Sequence, residues 1–359
     1  MTDSARSIVD AALSALVIPG TDVPLMALLA DEVQFNSELN SLDIVLGLPL
    51  ARMKSSLAGE ITQFCLAKGL ELGEVNITTA IPESQAKNHD GRIPGVKNII
   101  AVASGKGGVG KSTTSVNLAL ALNVEGATVG LLDADIYGPS QPHMLGVAGR
   151  RPEIANGNTL IPIESHGVHV ISMGNLVTEE TPMIWRGPMV SGALQQLLGQ
   201  TRWPDVDYLI IDMPPGTGDV ALTLSQKVPV SGSVIVTTPQ DIALLDAKKG
   251  IEMFRKVNIP VYGVVENMAV HICSNCGHEE HIFGEKGGAK LAETYGVKVL
   301  GQLPLSMEIR EQVDLGLPSV AADVESPIAH IYRNIARKVA AEVFLGAGNN
   351  LVPEIVLER

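Results

Sequence analysis

The segment from residue 98 to residue 125 constrains the fold of this chain more than any other. The apolar run 98–103 predicts a buried strand, and the apolar spacing over 111–125 predicts a helix. Between them, residues 102–114 read Val-Ala-Ser-Gly-Lys-Gly-Gly-Val-Gly-Lys-Ser-Thr-Thr, which fits the phosphate-loop pattern G-x-x-x-x-G-K-[ST]. Strand, glycine-rich loop and helix in this order are typical of nucleotide-binding α/β proteins.

The same loop predicts a phosphate site. Small residues allow backbone N–H groups to curl around a polyphosphate, and the N-terminus of the helix attracts anions. The Lys111 ammonium then reaches the β- and γ-phosphates, and the Ser112 hydroxyl binds Mg²⁺. The predicted nucleotide-binding residues of the loop are Gly105, Lys106, Gly107, Gly108, Val109, Gly110, Lys111, Ser112 and Thr113.

Composition limits the classes of protein to which the chain can belong. Of its 359 residues 45% are hydrophobic and 3% aromatic, which suits a parallel sheet of aliphatic strands covered by helices. No apolar run approaches the roughly 18 residues of a membrane span, and residues 1–6 do not resemble a secretory signal. The net charge of −13 argues against nucleic acid and membranes as partners. Three cysteines exclude a disulfide framework and indicate the cytoplasm.

Strand and helix patterns alternate from about residue 97 onward. Strands are predicted over 98–103, 128–133, 168–173, 207–212, 233–238, 261–267 and 298–303, and helices over 111–125, 188–199, 241–257, 285–295, 306–315 and 326–344. This alternation predicts an α/β fold with a doubly wound, mostly parallel sheet of the P-loop NTPase type. Ligands of such sheets bind where the carboxyl ends of the strands meet the loops.

A smaller α/β unit is predicted ahead of this domain. Its helices are expected over 7–16 and 53–68, and its strands over 32–36, 42–48 and 74–80. The polar, Pro- and Gly-punctuated segment that follows reads as a linker. The predicted organisation is a small domain at 1–80, a linker at 81–96, the phosphate-loop domain at 97–345 and a tail at 346–359.

Carboxylates stand at the ends of two predicted strands. Asp133 and Asp135 lie in the run Leu-Leu-Asp-Ala-Asp, from which they would project toward the nucleotide. Asp212 ends the apolar run Leu-Ile-Ile-Asp and is followed by Met-Pro-Pro-Gly-Thr-Gly-Asp. This is the Walker B arrangement, in which the carboxylate holds the Mg²⁺ shell. Gly216 supplies backbone freedom next to the γ-phosphate.

Cys273 and Cys276 form a C-x-x-C pair shortly after the predicted strand 261–267. Two thiolates can share one metal centre, but a four-coordinate site needs two further ligands. A twofold dimer could bring two pairs together around one [4Fe–4S] cluster. His278 and His281 could instead complete a zinc site within one chain, or the pair could act as a redox dithiol. Spacing alone slightly favours zinc.

Several strings of this sequence resemble those of a known family. The loop K-G-G-V-G-K-[ST] resembles the deviant Walker A ATPases, which include nitrogenase iron protein and the septum-site and partitioning ATPases. Within that class the chain is similar to the Mrp (ApbC-like) iron–sulfur cluster carrier ATPases over about 95–344. The segments that carry this resemblance are 133–140, 185–196, 237–247 and 282–284, together with the Asp-x-Pro-Pro-Gly signature at Asp212.

The resemblance implies an ATP-hydrolysing homodimer that carries a labile cluster and transfers it to apo iron–sulfur proteins, in exchange with cluster scaffold proteins. Lys106 would reach across to the partner's phosphates. Asp135 would orient the attacking water, with Asp133 supporting the metal shell. Asn267 would hydrogen-bond adenine and Pro304 would lie beside the base. A face-to-face dimer also shifts the expectation for the thiol pair from zinc to a cluster bridging two subunits.

The resemblance leaves alternatives open. A partitioning-type switch would need a basic face or an amphipathic tail, and neither is evident in the sequence. A zinc-stabilised nucleotide-binding protein would need only the cysteines and histidines. Residues 7–80 resemble the MIP18-like domain found ahead of such ATPases, but the loop 48–52 lacks that domain's cysteine, and Cys65 lies on the apolar face of a predicted helix as a small hydrophobe.

Overall fold

The structure is a computed structural model that describes residues 3–36, 40–83, 92–136, 138–155, 157–175, 187–273 and 275–348. Half of the predicted linker, the first two residues of the segment 185–196 and most of the predicted tail lie outside the described residues. The chain divides into two compact units. The first comprises Met1–Gln85, Val124–Gly126 and Arg337–Arg359, and the second comprises Ala86–Asn123 and Ala127–Ala336.

The first unit contains a three-stranded sheet and two helices. The strands are β1 (Gln34–Asn36), β2 (Ser41–Leu46) and β3 (Glu74–Thr79), and the helices are α1 (Asp3–Ala15) and α2 (Lys54–Ala67). Strand β2 pairs antiparallel with β1 and parallel with β3. Helix α2 buries Leu57, Ile61 and Cys65, which recur every four residues and so share one face. Burial raises the pKa of the Cys65 thiol.

The second unit is built on a nine-stranded sheet. Its strands are β4 (Val96–Ala103), β5 (Val129–Asp133), β8 (Ile163–Ser165), β9 (Val168–Ser172), β10 (Val206–Asp212), β11 (Gly232–Thr237), β12 (Val261–Ile272), β13 (Glu279–Glu280) and β14 (Val299–Leu305). They follow the order β13-β12-β11-β4-β10-β5-β9-β8, and β14 pairs with β12. The strands β6 (Glu153–Ala155) and β7 (Thr159–Ile161) form a separate antiparallel pair.

Helices connect these strands. They are α3 (Lys111–Val124), α4 (Gln141–Met144), α5 (Gly187–Gln200), α6 (Asp219–Lys227), α7 (Asp241–Lys256), α8 (Gly287–Tyr295), α9 (Met307–Asp314), α10 (Ser319–Ala322) and α11 (Pro327–Gly348). The division between the two units falls within α11. Among the described residues, no helix combines the length and the apolar character that crossing a bilayer would require.

The predicted doubly wound, mostly parallel sheet is confirmed. In this sheet as described, strands β4, β5, β10, β11 and β14 pair only in parallel, whereas β9 and β12 also pair antiparallel with the short strands β8 and β13. Strand β10 is buried along its length apart from a half-buried Asp207, as expected of a central strand covered on both faces. The carboxyl ends of β4, β5 and β10 carry the phosphate loop, Asp133 and Asp212 respectively, and Asn267 lies within β12.

The strand that precedes the thiol pair is longer than expected. The sequence predicts its end at residue 267, but β12 continues to Ile272. Its pairing with β14 shifts register between Glu266 and Val270, and Met268 between them has a φ of 57°. Such an irregularity breaks the simple apolar pattern on which strand prediction depends. The short elements β6, β7, β8, α4, α6 and α10 were also not predicted, because most span too few residues for a periodicity to show.

Candidate functional site

Two glycines allow other elements to approach the phosphate loop closely. Gly110, directly before α3, has a φ of 84°, in the left-handed region that favours glycine. A Cβ there would lie 2.0 Å from Nδ2 of Asn267. A Cβ on Gly105 would lie 2.1 Å from the backbone carbonyl carbon of Asp246 in α7. The loop is therefore packed against α7 at its start and against the side chain of Asn267 at its end.

The middle of the loop is open. Gly107 and Gly108 are exposed, and a Cβ at either position would have no described atom within 4 Å. Lys106 is half-buried, and its carbonyl accepts a hydrogen bond of 2.8 Å from the Ser104 hydroxyl. The carbonyl of Ser104 accepts a bond of 3.0 Å from the N–H of Gly216. The predicted site residue Gly216 therefore lies against the start of the loop.

A buried ion pair joins the loop to β10. Nζ of Lys111 lies 2.5 Å from Oδ1 of Asp212, and both side chains are almost fully buried. The hydroxyl of Ser115 donates to the same carboxylate oxygen at 2.7 Å. Nζ of Lys111 is also 3.2 Å from Oγ of Ser112. The two residues predicted to hold the Mg²⁺ shell, Ser112 and Asp212, are thus both within reach of one ammonium group.

Asp133 is buried next to this pair because of strand register. Asp133 is paired directly with Asp212 across the parallel strands β5 and β10. Oδ2 of Asp133 accepts a bond of 3.1 Å from the Ser172 hydroxyl, and Oδ1 accepts one of 3.1 Å from the N–H of Asp135. Burial, together with the charge of Asp212, raises the pKa of Asp133 to about 7. Asp135 itself is half-buried, two residues beyond the end of β5.

Gln141, the first residue of α4, connects these groups and is not among the predicted site residues. Its Nε2 donates to Oδ2 of Asp212 at 2.9 Å and to the carbonyl of Ser112 at 3.0 Å. Its backbone N–H donates to Oδ2 of Asp133 at 3.1 Å. The residue is fully buried. Only the burial of a polar side chain identifies it, and that signal is not available in the sequence.

Asn267 lies where β12 reaches the phosphate loop. Its Nδ2 donates to the carbonyl of Val109 at 2.9 Å, and its Oδ1 accepts from the N–H of Met268 at 3.0 Å. Pro304 of β14 is paired with Val270, three residues beyond Asn267 on the same strand. The structure therefore brings Asn267 into the loop, whereas Pro304 stands farther along the β12–β14 pair.

The thiol pair occupies a tight hairpin between β12 and β13. The N–H of Cys273 donates to the carbonyl of His278 at 2.9 Å, and the N–H of Gly277 donates back to the carbonyl of Cys273 at 2.8 Å. Cys273 is half-exposed and Cys276 exposed, and neither forms a disulfide. Hydrogen bonds from the backbone N–H groups of Asn275 and Cys276, and then from the Cys276 thiol, lower the pKa of the Cys273 thiol. Both sulfurs can therefore reach a metal from solvent.

The zinc alternative within one chain gains no support from this hairpin. In the part of the chain that the structure describes, no three His, Cys, Asp or Glu side chains are grouped so that they could hold one metal ion. Nδ1 of His281 is instead 2.9 Å from the carbonyl of Ala269. Nε2 of His278 is 3.8 Å from the carboxylate of Glu280. The two cysteines thus provide only half of a four-coordinate site.

The residues around the loop fit a magnesium nucleotide. The Ser112 hydroxyl and the Asp212 carboxylate are the hard oxygen donors that Mg²⁺ prefers. Gln141 contacts both residues through its amide nitrogen. Its amide oxygen, Oε1, is buried and has no hydrogen-bond partner among the described atoms. The exposed glycines Gly107 and Gly108, ahead of the N-terminus of α3, suit an anion.

The sequence of the region that forms this site matches the model of a known protein family. Residues 95–340 match the family model described as "ParA: NUBPL iron-transfer P-loop NTPase". The chain belongs to this family. The matched region includes every predicted site residue, from Gly105 to Pro304, and the resemblance drawn from the sequence strings is thereby confirmed. Residues 1–94 lie outside the match, and the MIP18-like character of the first unit stays a prediction.

Relatives of this NUBPL-type NTPase carry names that agree with the family. An iron-sulfur cluster carrier protein of Pseudomonas fragi is 66% identical over 75% of this chain and 94% of the relative. Another iron-sulfur cluster carrier protein, from Escherichia coli strain K12, is 57% identical over 81% of this chain and 78% of its own length. The iron-sulfur cluster transfer protein NUBPL of Mus musculus is 55% identical over 69% of this chain and 78% of the relative.

Solved structures support the P-loop NTPase fold. A nucleotide-binding protein from Archaeoglobus fulgidus in complex with ADP is 34% identical to the NTPase, with a TM-score of 0.59, over 69% of this chain and 96% of the other. The cell division ATPase MinD of Pyrococcus furiosus is 23% identical with a TM-score of 0.53, over 67% of this chain and 98% of the other. The second likeness concerns the fold alone.

Proposed function

We propose that this NTPase is an iron–sulfur cluster carrier in which hydrolysis of ATP is linked to loading or release of the cluster. The observation that carries this proposal is the course of β12. One strand holds Asn267, whose amide is bonded to the phosphate loop, and ends at Ile272, directly before the half-exposed Cys273. A change at the loop therefore has a short, hydrogen-bonded route to the thiol hairpin.

The nucleotide chemistry follows from the buried groups. We propose that Lys111 transfers its ammonium from Asp212 to the β- and γ-phosphates, because a phosphate brings more negative charge to the loop than one carboxylate. Asp135 would orient the attacking water. When bound, Mg²⁺ would neutralise phosphate charge, held by Ser112 and by the Asp212 carboxylate that Lys111 has left. Asn267 and Pro304 would receive the adenine.

The cluster chemistry requires two subunits. Cys273 and Cys276 supply two thiolates, and a [4Fe–4S] cluster takes four, so a homodimer that apposes two hairpins would complete the site. The same face-to-face dimer would bring Lys106, half-buried at the loop, to the partner's phosphates. Release to an apo-protein is then a ligand exchange: each incoming thiolate forms a bond to iron as one carrier Cys–iron bond breaks, with no change of oxidation state.

The proposed setting follows from this chemistry. Cluster scaffold proteins would supply the cluster and apo iron–sulfur proteins would receive it. Three free thiols suit a reducing compartment, for which we propose the cytoplasm. No contact of the described residues favours a partitioning-type switch, and the hairpin lacks the ligand set of a zinc-stabilised site. We propose that residues 1–80 form a separate domain and that the buried Cys65 in it does not bind the cluster.

Anaerobic reconstitution with ferrous iron and sulfide tests the proposal. The wild-type protein should develop sulfur-to-iron absorption and bind about four iron atoms per two chains. Cys276→Ser should lose this absorption, because the exposed thiolate is replaced by a hydroxyl. Cys65→Ala is the matched control, since it removes the buried thiol of α2 and should retain the full absorption. Equal iron binding by wild type and Cys276→Ser would overturn the proposed carrier function.

A further inference from the structure

We infer that Gln141 is a positioning residue of the nucleotide site, which holds the Asp212 carboxylate in the orientation that Mg²⁺ requires and ties it to Asp133. Gln141 is the point at which three elements meet. Its side-chain amide donates to the carbonyl of Ser112 in α3 and to Asp212 at the end of β10, and its backbone N–H donates to Asp133 at the end of β5. This inference rests on the magnesium-nucleotide part of the proposed function.

The two oxygens of the Asp212 carboxylate have different hydrogen-bond partners. Its Oδ1 is shared by the Lys111 ammonium and the Ser115 hydroxyl, whereas its Oδ2 is held by Nε2 of Gln141. When Lys111 turns to the phosphates, Oδ1 loses its charged partner. The bonds from Gln141 and Ser115 then remain to prevent rotation of the carboxylate, and a carboxylate in a fixed orientation binds a metal better than a free one.

Gln141 also provides the coupling to β5. The backbone N–H of Gln141 donates to the same oxygen of Asp133 that accepts from Ser172, while the other oxygen of Asp133 accepts from the N–H of Asp135. A displacement of Asp212 is therefore transmitted through Gln141 to the segment that bears Asp135. Gln141 would act on the water-orienting residue through hydrogen bonds, without touching the substrate itself.

Gln141→Met tests this role, because methionine has a similar length and apolar bulk but no amide to donate. The variant should bind Mn²⁺, used as the spectroscopic substitute for Mg²⁺, about 10- to 100-fold more weakly in the presence of ADP. Binding of ADP in the presence of a chelator should stay within about twofold of wild type, because the loop contacts the phosphates independently of the metal. Electron paramagnetic resonance of free Mn²⁺ measures the first quantity and calorimetry the second.

Asn117→Leu is the matched control. Asn117 is another fully buried amide that bonds the first turn of α3, donating to the carbonyl of Thr113 at 2.9 Å. Its Oδ1 accepts from the N–H of Val320, in α10, rather than from a group of the nucleotide site. If both variants weaken Mn²⁺ binding equally, Gln141 has only a structural role and the inference is wrong.

Two further outcomes separate the inference from the function on which it rests. If Gln141→Met does not fold, Gln141→Asn retains a polar amide that is one methylene too short to reach both partners, and the same loss of Mn²⁺ affinity is expected. An unchanged Mn²⁺ affinity in either folded variant overturns the inference alone. Absence of Mn²⁺-dependent nucleotide binding in the wild-type protein would overturn the proposed nucleotide chemistry instead.

Discussion

Lys111 and Asp212 illustrate how one residue pair serves both stability and function. Each charge would be costly to bury alone, and the contact of 2.5 Å offsets much of the desolvation. The pair is nevertheless poised for exchange, because phosphate oxygens offer the ammonium a stronger partner than the carboxylate does. Asp133 stands directly beside it and shares its low-dielectric surroundings, so two carboxylates compete there for one cation.

Removal of this cation should destabilise the nucleotide-free protein. Lys111→Met leaves Asp212 as a buried, uncompensated charge, and we expect a loss of about 3–5 kcal/mol in the free energy of unfolding. The control is Lys97→Met, which breaks an ion pair of 2.7 Å with Asp207 in which the lysine is 43% exposed. That change should cost at most about 1 kcal/mol. Urea denaturation measures both, and equal losses would contradict the assignment of a buried pair.

Asp133 should make stability depend on pH. Its pKa in the folded protein, about 7, lies above the ordinary value of 3.8, so the folded state binds more protons than the unfolded state between these values. Its contribution to the free energy of unfolding is therefore full below the ordinary pKa and declines as the pH rises toward 7. We expect Asp133→Asn to remove this decline. Urea denaturation at several pH values gives the free energy of unfolding of both proteins. If these free energies change with pH in the same way from pH 4 to pH 7, Asp133 is ionised in the folded protein throughout this range and the prediction is wrong.

At the scale of elements, β12 connects the phosphate loop to the thiol hairpin. It delivers Asn267 to the phosphate loop, and through a register irregularity it continues to the thiol hairpin. The irregularity and the positive φ of Met268 redirect the chain between these two places. The close approach of Asn267 in turn requires glycine at position 110, so the loop and the strand constrain each other.

Gly110→Ala tests this mutual constraint. The new Cβ would meet Nδ2 of Asn267 at 2.0 Å, at a backbone φ of 84° that alanine rarely adopts. We expect a loss of about 1–3 kcal/mol in the free energy of unfolding of the nucleotide-free protein. Gly107→Ala, at a position with open space around the Cβ, should stay within about 0.5 kcal/mol of wild type. A Gly110→Ala variant as stable as Gly107→Ala would contradict this account.

At the scale of the whole molecule, the proposed chemistry needs residues from two chains at two places, the cluster and the phosphates. Two cysteines cannot complete a four-coordinate cluster, and Lys106 lies half-buried in the loop while Lys111 occupies the phosphate-loop lysine position. The same proposed twofold assembly would supply both the second pair of cysteines and the lysine of the partner. Dimer formation, cluster binding and ATP hydrolysis should therefore rise and fall together.

Lys106→Gln tests this coupling. We expect the variant to bind ATP within a few-fold of wild type but to hydrolyse it at least about 10³-fold more slowly, the loss typical of a missing trans cation. Its ATP-induced dimerisation, followed by light scattering, should weaken as well. Lys97→Gln, which changes a lysine on the exposed ion pair with Asp207, is the control and should behave as wild type. Unimpaired hydrolysis by Lys106→Gln would exclude a contribution of this lysine across the dimer.

The sequence by itself determined the α/β class, the loop of residues 105–113 and the carboxylates at the ends of β5 and β10. These features are local: each depends on a short run of apolar residues and a turn or polar group directly after it. Such local patterns can be recognised without knowing which distant segments contact them. The same holds for Cys273 and Cys276, whose spacing is visible in any reading of the chain.

Only the tertiary structure decided which of these groups meet, because contacts between distant segments depend on strand register and burial. The pairing of Asp133 with Asp212 follows from the alignment of β5 with β10, and no spacing in the sequence encodes it. Gln141 became part of the site through its burial between three elements. The extension of β12 to the thiol hairpin depends on its pairing with β13 and β14, which lie later in the chain.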